Sequence, residues 1–151
     1  MNKLIITMQI GRKGKDIWRL CTPYIERYAE RIGADFKIHT EAQDRFKDLS
    51  FYLNKFGMLQ WFPKYEQILM IDSDVFITPD APNIFIDHPD TDTFYGVDES
   101  YTDRAHIVQP YIDKYKIDWE LSEYGTPKHY NGGVWIIGNK CDMTYYLDEY
   151  L

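Results

Sequence analysis

The chain has 151 residues, 44% of them hydrophobic and 27% charged, which is enough for one domain with a real core and short for two. A formal net charge of −7, with no basic stripe beyond Arg12, Lys13 and Lys15, argues against nucleic acid as a partner, and no apolar run approaches the roughly 20 residues that cross a bilayer. Aromatic residues are the outlier at 17%, with 13 Tyr and 4 Trp, side chains whose flat apolar face and polar handle suit sugars and bases as well as cores.

Residues 3–8 are short and rich in Leu and Ile, which predicts a buried first strand. Gly11-Arg12-Lys13-Gly14-Lys15 follows where a leader would carry a small-residue cleavage site, so no signal peptide and a cytoplasmic location are expected. Cys21 and Cys141 stand in no metal-ligand spacing and are expected to be reduced and buried. From Ile17, the positions Leu20, Cys21, Tyr24, Ile25, Tyr28, Ala29 and Ile32 recur at helical spacing and predict one core-facing stripe. Pro23 within it implies a kink or two helical pieces, and Gly33 closes the helix. Residues 36–40 read as a second strand.

Ser50 is placed to cap a helix over 50–62 that Pro63 stops, and residues 67–71 form a continuous apolar strand of the kind covered on both faces in parallel sheets. Pro79 and Pro82 break the chain, residues 82–85 fit one helical turn, and 93–97 fit a strand that ends at Asp98. Ile107, Val108, Tyr111, Ile112 and Tyr115 predict a helix within 105–117, kinked or split at Pro110. Tyr130-Asn131-Gly132-Gly133 reads as a turn before a strand over 134–137, and 143–150 reads as a last helix. Strands and helices alternate, which predicts a single α/β domain over 1–151, Rossmann-like, with a mostly parallel central sheet flanked by helices. Ligands of such sheets bind beyond the carboxyl ends of strands, where Asp72, Asp74 and Asp98 fall.

The run from Gln67 to Ile77 ends its apolar part in two carboxylates, Asp72 and Asp74, separated by Ser73. Two like charges at the mouth of a hydrophobic strand call for a cation to offset them. Mg²⁺ and Mn²⁺ prefer oxygen ligands, commonly take one or two carboxylates, and leave their other positions to water and phosphates. The bland alternative is a solvated turn in which the Asp side chains accept from backbone amides, a role that does not require acid at both positions.

Residues 52–55 on a helix, then Ile68-Leu69-Met70-Ile71-Asp72-Ser73-Asp74-Val75-Phe76-Ile77, then Asp98, then Tyr130-Asn131-Gly132-Gly133-Val134-Trp135-Ile136-Ile137 follow in an informative order. The order resembles that of nucleotide-sugar glycosyltransferases of the A-type fold, and is most similar to the glycogenin-like and lipopolysaccharide galactosyltransferase group. The resemblance implies that Asp72 and Asp74 hold Mn²⁺ or Mg²⁺ on the diphosphate of a UDP-sugar, with Ser73 between them. It implies further that Lys55 approaches the donor, that Asp98 and Asn131 hydrogen-bond the donor sugar at the catalytic end, and that Gly132 and Gly133 let backbone come close to it. Thr7 and Met8 match the edge of the nucleoside pocket, and a glycan or other hydroxyl compound would be the acceptor.

Similar enzymes bring a third metal ligand, a histidine, from a C-terminal segment that this chain is expected to lack, and His106 and His129 do not fit its pattern. Gln9-Ile10-Gly11-Arg12 also departs from the polar residue that usually follows the first strand. Asp98, Glu99 and Asp103 are all acids that could serve as a base, unranked by sequence. Two other functions remain open: a haloacid-dehalogenase-like phosphatase with Asp72 as nucleophile and Asp74 as acid, and a noncatalytic sugar-nucleotide-binding domain.

Overall fold

The computed structural model describes residues 2–11, 14–42, 51–102, 104–116 and 118–142, and of 51–53, 105, 107, 108, 111 and 115 it describes the backbone alone. Along the chain run β1 (Lys3–Met8), α1 (Lys15–Ile32), β2 (Asp35–His39), a 3₁₀ helix (Phe51–Trp61), β3 (Gln67–Asp72), α2 (Ile84–Asp87), β4 (Phe94–Asp98), α3 (Ala105–Tyr115) and β5 (Tyr130–Gly138). The strands form one five-stranded sheet in the order β2-β1-β3-β5-β4. β1 is parallel to both β2 and β3, as expected, while β5 runs antiparallel to β3.

Alternation along the strands divides the core in two. On one face Leu4, Ile6, Ile68, Met70, Trp135 and Ile137 pack with Met58 of the 3₁₀ helix, Tyr65 and Cys141. On the other, Ile5, Leu69, Ile71 and Ile136 pack with Ile25, Tyr28 and Ala29 of α1 and Phe85 of α2. The middles of the central strands, residues 4–6 of β1 and 68–71 of β3, are therefore unbroken apolar runs because both of their sides are covered.

Several expectations change. α1 runs unbroken through Pro23 for 18 residues. The proline lies on its exposed side, where solvent can take the carbonyl that loses its N–H partner. Leu20 is 70% exposed and Ile17 52%, so the buried stripe starts only at Cys21. The segment before Pro63 is 3₁₀ rather than α-helical. At three residues per turn Lys55, Met58 and Trp61 share one side, so this helix carries a lysine on the edge that faces the core. Tyr130-Asn131-Gly132-Gly133 is not a turn but the first part of β5, and neither glycine has a positive φ. Lacking side chains, the two glycines accept extended backbone as readily as a turn. The helix expected over 143–150, the cap at Ser50 and the acid Asp103 lie outside the described residues.

The chain divides into two compact units, one of Met1–Tyr95 with Gly133–Leu151 and one of Gly96–Gly132. The first holds both hydrophobic clusters. The second carries α3, closed by Lys116 in the left-handed conformation with its N–H on Ile112 O, and a bridge between Leu121 and Pro127.

Candidate active site

In the larger unit β3 leaves the core abruptly. Ile71 is 3% exposed, Asp72 is half-buried, and Asp74 is exposed. Asp72 O accepts from Val75 N at 3.2 Å, closing a turn around Ser73 and Asp74. Asp72 lies beside Met8 in the parallel register, and Ile71 lies opposite Val134, whose predecessor Gly133 is buried. The carboxyl ends of β1 and β3 and the point where β5 enters thus share one edge of the sheet.

Parity decides what Asp72 meets. It points to the same face as Met70, the face covered by the 3₁₀ helix, and there Lys55 Nζ forms an ion pair with Asp72 Oδ1. The Lys55 side chain is only 10% exposed against 37% for Asp72. The lysine is thus held under the carboxylate rather than waving in solvent. The resemblance implies that Lys55 approaches a donor; its direct pairing with Asp72 is not signalled by the sequence. Among the described residues neither Asp72 nor Asp74 accepts a side-chain bond from a backbone amide, so the Asx-turn alternative loses its defining bond.

Thr7 is placed differently from Met8. It is 0% exposed, it alternates to the α1 face with Ile5, and its Oγ1 is buried with no partner among the described residues. Met8 packs at the margin of the cluster that includes Met58 and Met70, on Asp72's own face. Only Met8 of the two therefore projects a side chain on the carboxylate face.

The smaller unit organises the other expected residues around Ser100, which is completely buried. Asp98 Oδ1 accepts from Ser100 N at 2.8 Å, and the Ser100 hydroxyl accepts from His129 N at 2.9 Å. Hydrogen bonding to Ser100, side chain first and backbone second, holds the Asp98 carboxyl below its ordinary range. An acid held low is a weak base but a ready acceptor for a hydroxyl. Both His129 ring nitrogens meet protein partners: Nδ1 contacts Pro127 O at 2.8 Å and Nε2 lies 3.3 Å from Thr102 Oγ1. Asn131 Nδ2 donates to Glu99 Oε1 at 2.5 Å, and Arg104 sits 3.2 Å from the other Glu99 oxygen. Glu99 is thereby committed to Asn131 and Arg104, a long-range contact that sequence spacing does not signal. Gly132 is exposed, with nothing within 4 Å of where a Cβ would stand.

Asp72 and Asp74 are hard oxygen donors suited to Mg²⁺ or Mn²⁺. Among the described residues no group of three or more His, Cys, Asp or Glu side chains is arranged to hold a metal. The pair can offer two oxygen positions to a cation whose remaining positions are filled by phosphate oxygens and water.

No protein-family model matches the sequence, and no curated protein matches it. The chain is similar in structure to a glycosyltransferase involved in the glycosylation of the major capsid of PBCV-1, with a TM-score of 0.61 and 16% identity. The match covers 97% of this chain and 65% of that one, so the chain spans a little less than two thirds of that protein's length. The two share a Rossmann-like mixed α/β fold.

Proposed function

We propose that the protein is a metal-dependent glycosyltransferase that moves a sugar from a nucleotide-diphosphate donor, a UDP-sugar, to a hydroxyl of a glycan acceptor. The observation that carries this reading is the pair of carboxylates at the carboxyl end of β3, one of them ion-paired to a lysine from the packed 3₁₀ helix. The fold it shares with a solved glycosyltransferase supports it.

In this reading Asp72 and Asp74 would hold Mn²⁺ or Mg²⁺ against the donor diphosphate. The cation supplies Lewis-acid stabilisation of the negative charge that grows on the leaving oxygen as the glycosidic bond breaks. Lys55 keeps a positive charge beneath Asp72 and adds to the field that the departing diphosphate meets. Met8 walls the carboxylate face. Asp98, ionised and fixed by Ser100, accepts a hydrogen bond from a donor-sugar hydroxyl. Asn131, oriented by Glu99, contributes a second polar contact, and Gly132 and Gly133 leave room for the ring beside the backbone.

The test is calorimetric titration of UDP-galactose and UDP-glucose with and without Mn²⁺. Binding that requires Mn²⁺ and disappears in Asp74→Asn is the expected outcome. Equal binding by the variant would remove the assignment.

A further inference from the structure

A pocket of about 190 Å³ opens in the larger unit between α1 and the strand-breaking segment that follows Asp74. Tyr24, Arg27, Tyr28 and Arg31 line it from α1, opposite Ile77 and Pro79. Their spacing puts both arginines and both tyrosines on neighbouring turns of a single helix side. Each guanidinium is laid over a ring: Arg27 lies 5.9 Å from the Tyr24 centroid and Arg31 lies 5.2 Å from that of Tyr28.

The walls are fixed. The Tyr28 hydroxyl donates to Pro82 O at 2.8 Å and accepts from Ile84 N at 3.1 Å, and the Tyr24 ring packs on Phe76 at 4.1 Å between centroids. Arg31 Nη2 donates to Ala81 O at 2.5 Å. Arg27 is different: among the described residues it makes no hydrogen bond and no ion pair, only its contact with the Tyr24 ring. A protein of net charge −7 thus keeps an uncommitted planar cation at the rim of an aromatic pocket.

The chemistry of such a pocket is narrow. A guanidinium fork matches a carboxylate with two parallel hydrogen bonds, and tyrosine faces accept the C–H side of a ring. The volume is below the roughly 300 Å³ at which drug-sized ligands begin, so it takes one ring. Ile77 is three residues beyond Asp74, which limits their backbone separation to about 11 Å. The pocket sits on the α1 face, the side of the sheet opposite the one on which the Asp72 side chain meets Lys55.

We propose that this pocket is a binding site for an acidic sugar residue, separate from the carboxylate pair, with the sugar carboxylate on Arg27 and its ring against Tyr24 and Tyr28. The capacity to bind a carboxylated sugar does not rest on the glycosyltransferase reading. The test is a methyl NMR titration that follows the Ile77 δ-methyl while glucuronate, glucose or inorganic phosphate is added to the full chain. Glucuronate is expected to shift it saturably and to bind at least tenfold more tightly than glucose. Arg27→Gln, at an exposed position whose loss leaves the fold intact, is expected to weaken glucuronate at least tenfold with no change in Tm. Glucose binding as well as glucuronate, an unaffected Arg27→Gln variant, or phosphate matching glucuronate would each overturn the proposal. UDP-galactose with Mn²⁺ is titrated into the same sample. Its failure to bind while glucuronate binds would overturn the transferase reading and leave the acidic-sugar site standing.

Discussion

At the scale of single residues, the two acids Asp72 and Asp98 are put to different uses by what surrounds them. Asp98 is tied to Ser100, so its proposed work is to accept from the donor sugar rather than to take up a proton. Asp98→Ala is expected to weaken UDP-sugar binding at least tenfold while leaving UDP binding within about twofold, since one hydrogen bond to a charged group contributes about 1.5–3 kcal/mol. Calorimetry with both ligands checks it, and equal losses would show that Asp98 does not touch the sugar. Asp72 shares its charge with Lys55. Replacing that lysine by the similarly long, uncharged methionine removes a cation that would compete with the proposed metal for one carboxylate. Lys55→Met should therefore bind Mn²⁺ several-fold more tightly in the absence of donor, yet turn over more slowly. Paramagnetic relaxation of water gives the first quantity and a donor-hydrolysis assay the second. The carboxylates themselves were legible in the sequence, because charge at the end of an apolar strand is conspicuous. The Lys55 and Glu99 pairings were not, because each joins residues that only the fold brings together.

At the scale of elements, the strands were legible and the punctuation was less so. β1 and β3 announce themselves as unbroken apolar runs because both faces are covered. The Asn131-Gly132-Gly133 stretch misleads because glycine's usual preference for turns gives way to pairing within a long strand. Leu20 misleads because periodicity identifies an apolar side of α1 without saying how far the sheet extends beneath it. The 3₁₀ form of the segment over 51–61 leaves no clear trace in residue types. One glycine is indispensable by contact. A Cβ on Gly138 would stand 2.0 Å from Thr91 O and 2.2 Å from Thr91 C, backbone atoms that have no rotamer to yield. Gly138→Ala is expected to destabilise the protein by about 1–3 kcal/mol or more, by forcing β5 away from the segment before β4. Urea unfolding reads this directly, and a loss below about 0.5 kcal/mol would show that the two segments separate at little cost.

At the scale of the whole molecule, pH tests how tightly one margin of the sheet is closed. Burial lowers the pKa of His39 at the end of β2, an effect partly offset by Glu41, and His39 Nε2 is buried with no partner among the described residues. A base whose folded pKa is depressed binds its proton more readily when unfolded. Its neutral form therefore supports folding above the unfolded value of about 6.5, and that support is lost as pH falls through the folded value. Stability should decline between pH 7.5 and 5.5, and His39→Gln should decline less over the same interval. Urea midpoints at the two pH values make the comparison, and parallel slopes would show that His39 is as exposed in the folded chain as in the unfolded one.

Both cysteines are buried thiols, and their positions have a practical consequence. Cys21 belongs to the stripe of α1 that continues through Ile25 and Tyr28, whereas Cys141 is part of the cluster on the opposite side of the sheet. A thiolate must reach solvent before an alkylating reagent can capture it. The two labelling rates therefore act as separate clocks for the two layers: whichever cysteine reacts first marks the side of the sheet that comes loose first, with no engineered probe required.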